Sequence, residues 1–202
     1  MSDLTSGRYP DTYEEWLLDG SPAQPYRRSI SRWDIVSAGV AMTAATVFVI
    51  PVVVQQGDVI DYISIGVKTA SATPTHGWAA LYTGTSAAAT LIAQSADDTS
   101  GFHGPGALQK FALATGYTVG GHTGTTGTEG PLVLGVALYN SALTGGVLDG
   151  MSGSSVAGAV IVSGQVPLVS TVALAATAAA PATLAGAAAA VSGVPYVALS
   201  RT

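Results

Sequence analysis

The chain contains no cysteine, which excludes disulfide staples and thiolate metal centres and leaves the compartment open. It is also poor in charge. Asp, Glu, Lys and Arg make up 9% of the residues, against about 25% in an ordinary soluble domain. Disordered chains combine high charge with few apolar residues; here 48% are hydrophobic, so the bulk of the chain is expected to fold. Basic residues are the scarcer sign, and the formal net charge is −5. No electrostatic footprint for nucleic acid is therefore expected. The opening MSDLTSGRYPDTYEEW has no basic stretch followed by an apolar run, so no secretory signal is read there.

So little charge leaves a domain with little strongly hydrated surface. The simplest physical answer is that much of the exterior is covered by other copies of the chain or by other proteins, which makes a homo-oligomer or a larger assembly the expectation.

Two uncharged stretches have the length of a membrane span. Residues 35–54, IVSAGVAMTAATVFVIPVVV, follow the basic YRRSISRW, and such flanking charge suits a single-pass helix. Gly39, Pro51 and the clustered Val, Ile and Phe favour strands instead, giving VSAGVAM and then TVFVIPVVV up to the polar QQGD. The Ala-rich stretch 172–191 is barely hydrophobic enough to insert and is broken by Pro181. No membrane span is expected from either.

Charge divides the molecule near Asp34. Residues 1–34 carry four Arg and six Asp or Glu, more than half of all the charges. The division gives an N-terminal arm, 1–34, and a domain, 35–202. The arm holds one helix signal, PDTYEEWLLDG. Asp11 is placed to cap it, Glu14 completes a capping box and Gly20 ends it. Tyr13, Trp16 and Leu17 share one face, and a helix so short needs a surface to lie on. With Arg27, Arg28, Arg32 and Trp33 they are the candidate docking residues.

From residue 35 onward the chain reads as short strands punctuated by Gly, Ser, Thr and Pro. In GDVIDYISIGV, Val59, Ile63, Ile65 and Val67 point one way and Ile60, Tyr62, Ser64 and Gly66 the other. Trp78, Ala80 and Tyr82 share a face of GWAALYTG. TLIAQSAD, LQKFALAT, PLVLGVALYN, AGAVIVSG and VPYVALS continue the series. PLVLGVALYN is apolar on both faces, whereas a sandwich strand normally shows one face to water; its second face is expected to be covered by another segment or subunit. The fold class is all-β, an antiparallel β-sandwich of jelly-roll type with a short N-terminal helical docking arm.

Catalytic patterns are missing. DGMSGSS breaks the Gly-x-Ser-x-Gly elbow at Ser154, and GGHTGTTGTEG lacks the Gly-Lys-Ser/Thr ending of a phosphate loop. His76, His103 and His122 are not paired at metal-ligand spacing. Asp97 and Asp98 either contribute oxygens to a calcium site or, more simply, cap strand-end amides in a turn. The other carboxylates are too scattered to nominate a glycosidase pair. No enzyme activity, cofactor or metal is expected.

The ordered series Trp78-x-x-Leu81-Tyr82, Leu91-Ile92-Ala93-x-Ser95-x-Asp97 and Leu113-x-x-Gly116-Tyr117-Thr118-Val119 resembles a β-sandwich module of virion proteins from tailed phages, especially those infecting actinobacteria. The resemblance covers about residues 36–200. Gly116 stands where that family often has proline, and PLVLGVAL lacks the family's aromatic pair after the glycine. It implies a structural protein of the virion exterior: a minor tail or tail-tip protein, a head fibre, or a capsid decoration. Its partners would be other capsid or tail proteins, with trimers suggested by analogy to fibres and tips. It implies no catalytic residue. The competing function is a carbohydrate- or receptor-binding module touching the host surface, with Tyr117, His122, Asp97 and Trp78 as its candidate contacts; a membrane-anchored surface protein is the less favoured alternative.

Overall fold

The structure is a computed structural model that describes residues 27–29, 35, 39–43, 45–71, 74–85, 88–98, 107–120, 132–141, 146–152, 170–185, 188–189 and 193–201. These form strands and connecting turns, with no helix among the described residues. In chain order the strands are β1 (Arg27–Arg28), β2 (Val40–Ala41), β3 (Thr46–Val54), β4 (Val59–Thr69), β5 (Gly77–Thr85), β6 (Ala88–Gln94), β7 (Ala107–Thr118) and β8 (Leu132–Asn140). They continue as β9 (Val147–Leu148), β10 (Gly150–Ser152), β11 (Ser170–Ala173), β12 (Thr183–Ala185), β13 (Ala188–Ala189), β14 (Gly193–Pro195) and β15 (Val197–Ser200). The expected helix of the arm, with Tyr13, Trp16 and Leu17, lies outside the described residues, as does the expected strand AGAVIVSG.

Two antiparallel sheets carry the fold. The first runs β1-β15-β4, with β7 along the other edge of β4 and β9 with β2 extending the β15 side. The second runs β12-β6-β5-β8-β3-β11-β13. Chain order and pairing are related simply. β1 pairs β15, β3 pairs β8, β4 pairs β7 and β5 pairs β6. Those are the four rungs of one long antiparallel ribbon folded over on itself. β15–β4 and β8–β5 then join the rungs into sheets.

The sheets pack face to face. Phe48, Ile50, Val52 and Val54 of β3 and Val136 and Leu138 of β8 meet Ile63, Ile65 and Val67 of β4, Phe111 of β7, and Val197 and Leu199 of β15 in one buried core. The alternation of β-branched residues along TVFVIPVVV puts every second side chain there. In β4 the alternation slips. Between Ile60 and Tyr62 the pairing slips, two steps along β4 being matched by five along β7, and across this irregularity the inward side chains change phase, so Ile60 is buried and Val59 is not. The regular alternation read from the sequence, with Val59 facing inward, is corrected there.

The second face of β8 is covered, and by the chain itself. Residues 174–182 leave β11, next to one edge of the second sheet, and enter β12 at the other edge, crossing its outer surface. Five strand spacings separate β11 from β12, about 24 Å, and an extended run of this length reaches about 30 Å. Beneath this strap lie Trp78, Tyr82, Tyr139, Ala80, Ala137 and Val47, all buried. The polar tip of each aromatic residue donates to a carbonyl on the strap: Trp78 Nε1 to Thr177 at 3.2 Å, Tyr82 Oη to Pro181 at 2.7 Å, Tyr139 Oη to Ala175 at 3.2 Å. In return the Gln94 side chain accepts from the amide of Ala180 at 2.7 Å. Small side chains are what allow the strap's backbone to come this close, which is the physical reason for its alanine content.

Candidate functional site

The sandwich has two chemically different ends, separated by the length of β4, about 35 Å at strand rise.

At one end, β3 turns into β4 through residues 55–58. Gly57 takes φ +87°, a conformation glycine adopts without strain. Asp58 is buried, and its carboxylate is fully engaged. Arg27 donates through Nε at 2.7 Å and through Nη2 at 3.1 Å, and the Gln55 amide donates at 2.8 Å. Such a two-pronged guanidinium–carboxylate pair fixes geometry as well as charge. Two residues further on, Ser29 brackets β15. Its amide donates to the Val197 carbonyl, its hydroxyl to the Pro195 carbonyl, and the Val197 amide donates back to that hydroxyl. The β4–β7 pairing closes against this turn through Gly57 N to Val119 O and Val119 N to Asp58 O.

At the other end, three connections meet around His76. Asp97 accepts from the Gly77 amide at 3.0 Å and its second oxygen lies 2.8 Å from His76 Nδ1. Ser141 Oγ accepts from the amides of His76 and Thr75 and bonds the Thr75 hydroxyl at 2.6 Å. Ser141 N in turn donates to the His76 carbonyl. Asn140 and Ser71 are buried behind this cluster and hydrogen-bonded to each other. The set contains a serine, a histidine and an aspartate, yet it is not wired as a triad: the Ser141 hydroxyl is held by backbone amides and Thr75. Among the described residues no group of three metal-ligating side chains converges, and no helix is long and apolar enough to cross a membrane.

The candidate residues are distributed across this frame as follows. Arg27 and Arg28 form β1 inside the first sheet, although the charge boundary at residue 34 assigned them to the arm. Arg27 is committed to Asp58, and Arg28 is also partnered. Tyr13, Trp16, Leu17, Arg32, Trp33 and His122 lie outside the described residues. Asp97 caps a strand-end amide, but that amide is the first of β5 and not one in its own turn. Tyr117 packs against the core edge opposite Ile60, at the Asp58 end, and Trp78 is buried beneath the strap. Tyr117, Trp78 and Asp97 are thus not brought together into one sugar-binding surface. Sequence reasoning missed the Arg27–Asp58 and His76–Asp97 pairs, because each joins residues far apart in the chain.

Burial also sets two phenols apart. It pushes Tyr82 well above the ordinary tyrosine range. It raises Tyr139 too, partly offset by a backbone hydrogen bond at Thr177.

No family model matches the chain, and no curated protein matches it.

Proposed function

We propose that the chain is a non-enzymatic structural component of the exterior of a tailed-phage virion, a minor tail or tail-tip protein, head fibre or capsid decoration, held to its neighbours by the N-terminal arm. The observation that carries this reading is the strand order. With the eight principal strands counted along the chain, the sheets run first-eighth-third-sixth and second-seventh-fourth-fifth. This is the jelly roll, an architecture used by capsid and lectin domains. The phage-module resemblance favours the first of these uses.

The chemistry is in keeping with a building block. Both apolar faces of β8 are covered within one chain. Ser141 and His76 are spent on holding loops. The sparse surface charge suits a protein surrounded by fixed neighbours.

The test uses particles assembled with the full chain or with a chain lacking residues 1–26. That deletion spares Arg27, Arg28 and Ser29, which belong to the sheet. The full chain is expected in purified particles at a fixed copy number. The shortened chain is expected to fold, with an unchanged melting temperature, and to be missing from particles. A full chain absent from particles overturns the virion reading, and a shortened chain incorporated normally overturns the role of the arm.

A further inference from the structure

We infer that residues 174–182 are a peptide ligand bound in cis, a strap that lifts as a unit while the sandwich beneath stays folded. The surface it covers is then a groove that reads the backbone of an extended, uncharged segment; this does not depend on the virion reading above.

Backbone bonds join the strap to the sheet at its two ends, Leu174 N to Ala45 O at 2.8 Å and Leu91 N to Ala182 O at 2.9 Å. Between them it is fastened by the three aromatic tips and by Gln94. Thr177 holds the bend from within. Its hydroxyl donates to the Ala179 carbonyl at 3.0 Å and accepts from the Ala179 amide at 3.3 Å, contacts that lifting leaves intact.

The side chains of the strap hold it weakly. Ala175, Ala176, Ala178, Ala179 and Ala182 are exposed, and within 174–182 only Ala180 is buried. A methyl group contributes little when covered. The sandwich has no matching need of the strap. The core between the sheets contains none of its residues, and β6, β5, β8 and β3 bond to one another in turn. Segments with few apolar contacts open locally, at a free energy well below that of global unfolding. When the strap lifts, water takes the place of its carbonyls at Trp78, Tyr82 and Tyr139, so no polar tip is stranded.

What the groove recognises is displayed by the strap itself. Trp78, Tyr82 and Tyr139 each donate to a carbonyl, and Gln94 accepts from an amide. Every one of these contacts is to backbone, and none involves a charge. Aromatic grooves that bind extended, proline-containing peptides work in this way, and alanines let such a backbone lie close.

Because the chain has no cysteine, two neighbouring thiols separate local opening from global unfolding. Ala79 and Ala80 are both fully buried on β5, Ala79 in the core between the sheets and Ala80 beneath the strap. Full-length Ala79→Cys and Ala80→Cys are treated with a maleimide in native buffer. The thiol at 80 should react at least about tenfold faster than the thiol at 79, as local opening demands. Equal rates overturn the separate strap. Ala137→Cys, also buried beneath the strap on β8, takes the place of Ala80→Cys if that variant does not fold. Adding Ala180→Asp, which puts a charge on the strap and leaves the groove untouched, should speed labelling at 80 and not at 79. A peptide with the sequence of residues 172–184, VALAATAAAPATL, should then slow labelling at 80, and the same peptide carrying Ala180→Asp should not. Acceleration at both positions overturns the strap as a separate unit, and equal effects of the two peptides overturn the groove.

Discussion

Trp78 and Tyr139 sit directly opposite one another on β5 and β8, their rings stacked 5.1 Å apart and 22° from parallel beneath the strap. Each ring is an apolar surface for the strap to lie on, and each polar tip fastens it. Removing the Trp78 side chain deletes a large buried volume, the stack and one fastening. Trp78→Ala is expected to cost about 3–5 kcal/mol. Tyr139→Phe keeps the ring and loses only the bond to Ala175, at about 1 kcal/mol. Urea titrations of the two variants check the ranking; equal losses would mean that the indole ring contributes no more than a single polar fastening.

Alkali should loosen the same layer. The phenols of Tyr82 and Tyr139 are raised by burial in the folded protein, so above the ordinary phenol value of about 10 the unfolded chain loses protons that the folded chain keeps. Their contribution to stability is complete below that value and is lost as the pH rises through the folded values. Denaturation midpoints measured from pH 8 to 12 should fall at the alkaline end. The fall should be shallower in Tyr82→Phe.

Two glycines separate steric need from mere occurrence. A Cβ at Gly150 would press into the carbonyl oxygen of Val194 and lie 2.7 Å from Val40 Cγ2, whereas nothing lies within 4 Å of one at Gly120. Gly150→Ala is expected to cost about 1–3 kcal/mol or more through overpacking, and Gly120→Ala to stay within about 0.5 kcal/mol of the parent. Thermal melts of the pair decide the point.

The Arg27–Asp58 pair should behave as a unit. Asp58→Ala strands the guanidinium and the Gln55 amide, for a loss of about 3 kcal/mol. Combining it with Arg27→Ala should cost less than the two single changes summed. A double-mutant cycle with additive losses would show that the two side chains act independently.

Much of the frame was legible in the residues. TVFVIPVVV is β3 from its first residue to its last. The two apolar faces of PLVLGVALYN meet two separate cores, Val136 and Leu138 in one and Ala137 and Tyr139 in the other. The irregularity at Ile60 escaped because a slip in the pairing with β7 leaves the local composition of β4 unchanged while reversing which of its side chains turn inward. The strap escaped because alanine runs have no periodicity to read. Its only trace in the sequence is indirect: Trp78, Tyr82 and Tyr139 share a buried face, and their polar tips need acceptors that the strands beneath them have already used. Of the candidate site, Asp97 does cap a strand-end amide, but that amide belongs to Gly77, 20 positions away, and not to its own turn. Its partner His76 lies 21 positions away, and only the fold brings the two together.

The ribbon-like pairing has a consequence for biosynthesis. Among the described residues β1 pairs with β15, about 170 positions later, and β4 waits for the same strand along one edge. A ribosome must therefore release the chain through Ser200 before the first sheet is complete, and the aromatic layer of the second stays wet until the alanine segment follows it out. Such long-range closure is slow, and it exposes unpaired strands while it lasts. The nascent protein is most vulnerable to clumping in the interval before β15 has emerged.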